Sequence, residues 1–230
     1  MSTALARKQR PRSERQQQRQ VTILDAARDV LTEKGYDGVT MNELAEKAGV
    51  VKKTLYNLYG SKDDLLLAAI SEVIDGYRGE AVSAERGIAS IIASRIAGAR
   101  QVVATPEYAE AMAKALMQAE AGHALIKVLL RNSVVDHIVD LEAAQAHGEL
   151  EAFVDVPRLA EQIVGQSWGV LLLWIKGLVP LEEFESRSVG GLLLLLLAVT
   201  RGARRRALSE LLERGPSATA MSKDKGGNHP

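Results

Sequence analysis

The chain has 230 residues, of which 47% are apolar and 25% charged, and its 29 basic and 29 acidic side chains cancel to a formal net charge of zero. That composition suits one large or two small globular domains and excludes a collagen-like, disordered or highly charged chain. Cysteine is absent, which excludes disulfides, thiolate metal sites and cysteine nucleophiles.

Aromatic residues are few (4%) while Ala, Leu, Glu and Arg are common, and no alternating strand pattern recurs. This predicts an all-α fold. The neutral total hides a polarity: residues 1–62 hold twelve Lys or Arg against seven Asp or Glu, so the rest carries 17 against 22. A basic head on an acidic body suits contact with nucleic acid. The basic N-terminus is not followed by an apolar run of the export type, so cytoplasm is the expected compartment. The apolar runs Ile163–Val179 and Val189–Val199 are interrupted or short. A bilayer crossing needs about 20 apolar residues, so both read as buried helices and no membrane partner is expected.

In chain order, residues 1–14 read as a flexible basic arm, with Arg12 among the cations available to phosphates. From Arg15 the period becomes helical, with Ile23, Leu24, Ala27, Val30 and Leu31 on one face and Gly35 past the end. Thr40 and Glu43 have capping-box spacing and open a second helix with Met41, Leu44, Ala45 and Ala48 inward. Gly49 allows a sharp turn and Val50 fills its angle. In the next helix, Lys52 to Tyr59, spacing sends Leu55 and Leu58 to the core. Lys52, Lys53, Thr54, Tyr56 and Asn57 remain for a nucleic acid: cations and hydroxyls reach phosphates, and an amide or lysine reads base edges. Tyr59 is expected in the core with a solvated hydroxyl. Ser61 and Asp64 cap a fourth helix whose first turn holds Lys62, a cation that a phosphate at that terminus would compensate.

The run from Ile23 to Leu66 resembles the DNA-binding domain of the TetR family: paired Ala26 and Ala27, Gly35, Thr40, the turn Ala48–Gly49–Val50, then Thr54–Leu55–Tyr56, and Ser61–Lys62–Asp63 before Leu65. The resemblance implies DNA contacts at Thr54, Tyr56 and Lys62, and Thr40 opens the same motif. It implies a three-helix helix-turn-helix domain over 15–76 and a larger helical ligand-binding and dimerisation domain over 77–214. Residues 215–230 read as a disordered tail. Departures are Val51, where the family usually has a capping serine, Lys53, where it has a small residue, and Leu58–Tyr59 in place of an aromatic or histidine followed by phenylalanine.

Residues 81–104 predict one or two helices, and Thr105–Pro106 start another. A long helix is expected from Ala121 to Ala146, with Leu125, Val128, Leu129, Val135, Ile138 and Leu141 buried. Tyr108, Met112 and Leu116, at four-residue spacing, and His123 are the candidate ligand-binding residues, against the alternative that they only fill the core. The four histidines lack metal-ligand spacing, so no metal or other cofactor is expected. After Pro157, Ala160, Val164, Trp168, Leu171, Ile175 and Leu178 form a stripe beside Gly165 and Gly169. A final helix, Val189 to Leu212, is apolar nearly all round. Val164, Trp168, Leu171, Ile175, Leu193 and Leu196 are therefore the expected homodimer interface, against the alternative of an internal core, and Arg201, Arg204, Arg205 and Arg206 a solvated end.

These features lead to a DNA-binding transcriptional regulator, a repressor released from a palindromic operator by a small molecule, and not to an enzyme. Phosphate loops, nucleophile elbows and HExxH are missing from the sequence. The alternative is a helical-bundle carrier or enzyme without DNA binding.

Overall fold

A computed structural model describes residues 14–81, 86–119 and 123–214. The basic arm with Arg12, and the tail after 214, lie outside the described residues. The elements are α1 (Glu14–Gly38), α2 (Met41–Lys47), α3 (Lys52–Tyr59), α4 (Lys62–Ala81), α5 (Ile88–Ala104), α6 (Pro106–Gln118), α7 (Ala124–Ile126), a π-helical turn (Lys127–Arg131), α8 (Asn132–Ala146), α9 (Val156–Ile175), α10 (Leu181–Val199) and α11 (Gly202–Arg214). Among the described residues the only β-type pairing is an isolated antiparallel bridge, Leu150 to Thr200. None of the described helices is long and apolar enough to cross a membrane.

Two compact units divide within α4, after Ala69 rather than after Gly76. In the first, α1 buries Ile23, Ala26, Ala27, Val30 and Leu31 as the period predicted. Gly35 breaks the helix with φ +68°, a conformation that glycine takes without a Cβ clash. Lys47 reaches back to Glu33 at 2.8 Å and Asp29 at 3.8 Å, and Lys34 pairs with Glu43, so α2 is clipped to α1 at both ends.

In the second unit α5, α8, α9 and α10 pack around Ile88, Ile91, Leu141, Ile163, Leu192 and Leu196, and α11 adds Leu208. Each fully buried Leu or Ile contributes about 1.5–3 kcal/mol of transfer free energy. A second cluster joins Ala99, Ala113, Val170, Leu171 and Phe184, with Trp174 edge-on to Phe184 at 5.8 Å.

Four expectations need correction. The helix expected from Ala121 starts at Ala124 and passes through a π-helical turn before α8, and Val135 is exposed there. The α9 stripe stops at Ile175, leaving Leu178 exposed beyond the helix. The expected helix Val189 to Leu212 is two helices, α10 and α11. It breaks because Val199 O and Arg201 N pair with Glu151 N and Glu149 O at 2.9 Å each, which requires extended backbone at Thr200. Lastly, two of the arginines do not merely solvate a helix end. Arg204 places Nε and Nη2 on Glu149 Oε1 at 2.9 and 2.6 Å, and Arg201 Nε donates to Gly148 O at 2.8 Å.

Candidate nucleic-acid interface and internal cavity

The first site begins at Thr40. Its hydroxyl accepts from Glu43 N at 3.3 Å while Glu43 Oε2 accepts from Thr40 N at 3.1 Å and from the hydroxyl at 2.9 Å. Thr40 therefore acts first as the cap that fixes the start of α2. The bond to Lys34, and then those to Thr40, hold the Glu43 carboxyl below its ordinary pKa, and the same Glu43 raises that of Lys34. Gly49, with φ +64°, turns the chain, and Val50 N returns to Ala45 O at 3.0 Å.

α3 follows with Val51 at its N-cap and no side-chain cap. Leu55 is its buried anchor. Lys52, Lys53, Tyr56 and Asn57 are exposed and Thr54 is half-buried, so the polar face expected from spacing is present. Lys52 Nζ lies 5.8 Å from the Tyr56 ring centroid, a cation–π arrangement that groups both on one surface. Leu58, expected in the core, is instead 47% exposed on the same helix. The inward positions of this helix are Leu55 and, one turn later, Tyr59. Tyr59 is half-buried as expected, but its hydroxyl lies out of solvent.

At the start of α4 the Ser61 hydroxyl accepts from Asp64 N at 3.0 Å and donates to Asp64 Oδ2 at 2.7 Å, forming the second cap. Lys62 is held by protein: Nζ donates to Tyr36 O at 3.3 Å and sits 5.3 Å from the Tyr36 ring centroid. Tyr36 in turn donates to Asp63 Oδ1 at 3.1 Å. Burial, then the Asp63 charge, push the Tyr36 phenol well above its ordinary pKa. Lys62 is thus a cation pre-positioned by Tyr36 and Asp63, which spacing along one helix could not reveal.

The second site is a cavity of about 350 Å³ within the second unit. Of the candidate ligand-binding residues, Tyr108 and Met112 line it; Leu116 and His123 do not. Leu116 is buried away from the cavity, and His123 caps α7 by accepting from Leu125 N at 3.1 Å. His137 lines the wall, as do Val164, Trp168 and Leu171, three residues expected at the dimer interface. Leu193 and Leu196, at 2% and 0% exposure, are sealed in the chain's own core, and Ile175 packs against the Phe184 cluster. Val164, Leu171, Leu193 and Leu196 are thus buried within the chain itself and leave little surface for a partner, whereas Trp168 and Ile175 are half-buried. The exposed small and apolar residues toward the C-terminal halves of these helices are different ones, Gly165, Gly169, Leu172 and Leu173 on α9 and Leu194 and Ala198 on α10.

Sequence reasoning missed Arg95, Ser188 and Phe184, which also line the cavity. Its only available signal was an arginine among small residues in α5. Among the described residues no group of acidic or histidine side chains could hold a metal ion.

The profile described as "Bacterial regulatory proteins, tetR family" matches residues 23–69, the stretch that builds this helix-turn-helix. Over this stretch the chain matches the TetR family. It is 29% identical over 176 residues to the transcriptional repressor KstR of Mycolicibacterium smegmatis, covering 71% of this chain and 79% of that one. To the regulator BetI of Rhizobium meliloti it is 36% identical over 72 residues, 31% of this chain and 36% of BetI. The chain spans only about a third of the length of BetI and of two other curated relatives that it matches. TylP, a TetR regulator from Streptomyces fradiae, superposes with a TM-score of 0.68 at 22% identity, over 89% of this chain and 91% of TylP. That likeness establishes the TetR fold along both units. These relatives carry the names of transcriptional regulators, not of enzymes.

Proposed function

We propose that the chain is a cytoplasmic, homodimeric transcriptional repressor that binds a near-palindromic operator and is released by a small molecule. The observation that carries this reading is the surface of α3. A helix anchored by one buried leucine, between two capped helices, turns Lys52, Lys53, Tyr56 and Asn57 to solvent. On DNA the lysines, Thr54 and the Tyr56 hydroxyl contact phosphates, Asn57 or Lys53 meets base edges, and Lys62 and Arg12 add charge.

Dimerisation uses the open face of α9 and α10. A Cβ built at Gly165, Gly169 or Gly190 meets nothing within 4 Å, so these glycines serve no packing need inside the chain. Beside them stand Leu172, Leu173 and Leu194 in water. A second copy covering this face would place two recognition helices about 34 Å apart, one turn of DNA.

The cavity holds the effector. A ligand that binds better to the conformation with mis-spaced recognition helices weakens DNA binding by the factor that DNA weakens its own. α4 is the covalent route: it starts at Lys62, and its residues Ile70, Val73 and Ile74 line the cavity.

A mobility-shift titration with DNA from the protein's own promoter region tests the reading. A specific shift at low micromolar dimer is expected; binding indifferent to sequence would overturn it.

A further inference from the structure

The cavity wall contains a desolvated cation without an acidic partner. Arg95 on α5 is only 7% exposed. Its Nη2 donates to Ile163 O at 2.8 Å, and its Nη1 to Ser188 O at 3.3 Å and to Gln166 Oε1. All three acceptors are neutral. Burial alone depresses its pKa, to about 10, and no acidic neighbour among the described residues counteracts it. The side chain is therefore charged at neutral pH and compensated only by dipoles, an arrangement that an apolar residue of similar length would make less costly. A guanidinium has five N–H donors, more than these three bonds use. Ser94, Ser167 and Ser188 line the same cavity, and Trp168, Leu171 and Phe184 provide apolar wall.

We infer that the cavity takes a compact amphipathic carboxylate, its acid group on Arg95 and the neighbouring serine hydroxyls, its apolar body against Trp168, Leu171 and Phe184. This deepens the reading of the chain as an effector-responsive repressor and rests on it. A single acid group matches the single lining guanidinium that has no carboxylate contact among the described residues. Asp136 and Asp140 line the cavity too, and Arg86, the other lining arginine, is drawn to Asp140 at 3.6 Å. A dianionic phosphate would bring one charge with no cation to meet it. The volume of about 350 Å³ lies near the lower end of small-molecule sites, about 300–1,000 Å³, so one short chain or a small ring system fits.

The test titrates the purified full chain, followed by tryptophan emission, with decanoate, dodecanoate, their primary amides and decyl phosphate. Each acid is expected to bind about tenfold to a hundredfold more tightly than its amide, as a charge-assisted pair requires, and decyl phosphate no better than decanoate. Arg95→Met removes the preference and Arg95→Lys retains part of it. Equal affinity for acid and amide, no binding of either acid, preference for the phosphate, or an unchanged acid preference in folded Arg95→Met each overturns the assignment. Should Arg95→Met fail to fold, the wild-type comparison alone decides. Adding the same compounds to the protein–DNA complex separates the two readings. Acid-selective binding without any change in DNA affinity sinks the repressor reading and leaves Arg95 as the acid site. Release from DNA by acid and amide alike supports the repressor and overturns the Arg95 assignment.

Discussion

Gln166 on α9 lies so close to Gly191 on α10 that a Cβ on the glycine would overlap the glutamine amide. The same amide accepts from Arg95 and stands 3.5 Å from Ser188 O. One glycine thus lets two helices approach and keeps the buried arginine's partner in place. Gly191→Ala is expected to destabilise the chain by about 1–3 kcal/mol, the range for overpacking a filled contact. Denaturant unfolding measures it as a lowered midpoint; an unchanged midpoint would mean that Gln166 moves aside freely.

Capping of the helix-turn-helix is uneven, and both signs of the effect can be measured. Thr40→Ala removes the α2 capping box and is expected to cost about 0.5–2 kcal/mol. Val51 occupies an extended N-cap position, is 71% exposed and forms no cap bond, so Val51→Ser adds a cap at no packing cost. It should stabilise by roughly 1 kcal/mol or less. A stable Thr40→Ala variant or a destabilised Val51→Ser variant contradicts the capping account.

For DNA, Lys52→Ala and Tyr56→Phe are expected to weaken binding uniformly across operator sequences. The lysine change should also reduce the salt slope by about one. Asn57→Ala should instead alter discrimination between bases, by about 1–3 kcal/mol at one position. Mobility shifts over a set of single-base operator variants separate the two behaviours. An Asn57→Ala variant that loses affinity equally everywhere would place Asn57 in the phosphate-contacting group instead.

Exposure divides the leucines of α10. Leu194, at 61% exposure, belongs to the proposed dimer face, whereas Leu196 is sealed inside the chain. Leu194→Glu should yield a folded monomer in analytical ultracentrifugation with operator binding sharply reduced. Leu196→Glu should unfold the second unit, because it buries an unpaired charge. A dimeric Leu194→Glu protein would place the interface elsewhere.

Stability should fall at both pH extremes through the first unit. Glu43, bonded to Lys34 and Thr40, titrates below its ordinary 4.5 in the fold. Its stabilisation is present above that value and is lost as pH falls through the lowered one. Tyr36, buried beside Asp63, titrates above its ordinary 10.0. Its neutral form is favoured by the fold, so its stabilisation is complete below 10.0 and declines as pH rises beyond. Denaturant midpoints across pH should decline at both ends, and Tyr36→Phe should flatten the alkaline end alone.

The helix-turn-helix was legible from residues alone because its determinants are local. Capping pairs three residues apart, a glycine where φ turns positive, and a helical period of small and apolar side chains all act within one or two turns of chain. The Thr40–Glu43 and Ser61–Asp64 caps, Gly35, Gly49 and the buried Leu55 follow from such rules. So does the exposed polar face of α3, though not Leu58, which stands outward while Tyr59 takes the second inward position.

The second unit depends on partners far apart in sequence. Val164, Trp168 and Leu171 share a helical stripe, and periodicity marks that stripe as covered without saying by what. Packing against α8 and α10 turns it to the cavity and leaves Gly165, Gly169, Leu172 and Leu173 in solvent. Arg95 reads in the sequence as an ordinary surface cation; only the carbonyls of Ile163 and Ser188, 68 and 93 residues away, make it a buried one. Likewise the break at Thr200 comes from pairing with Glu149 and Glu151, not from any helix-breaking residue at Thr200 itself. Local chemistry therefore suffices for the helix-turn-helix, while the lining of the cavity and the open face of α9 and α10 follow from which helices meet.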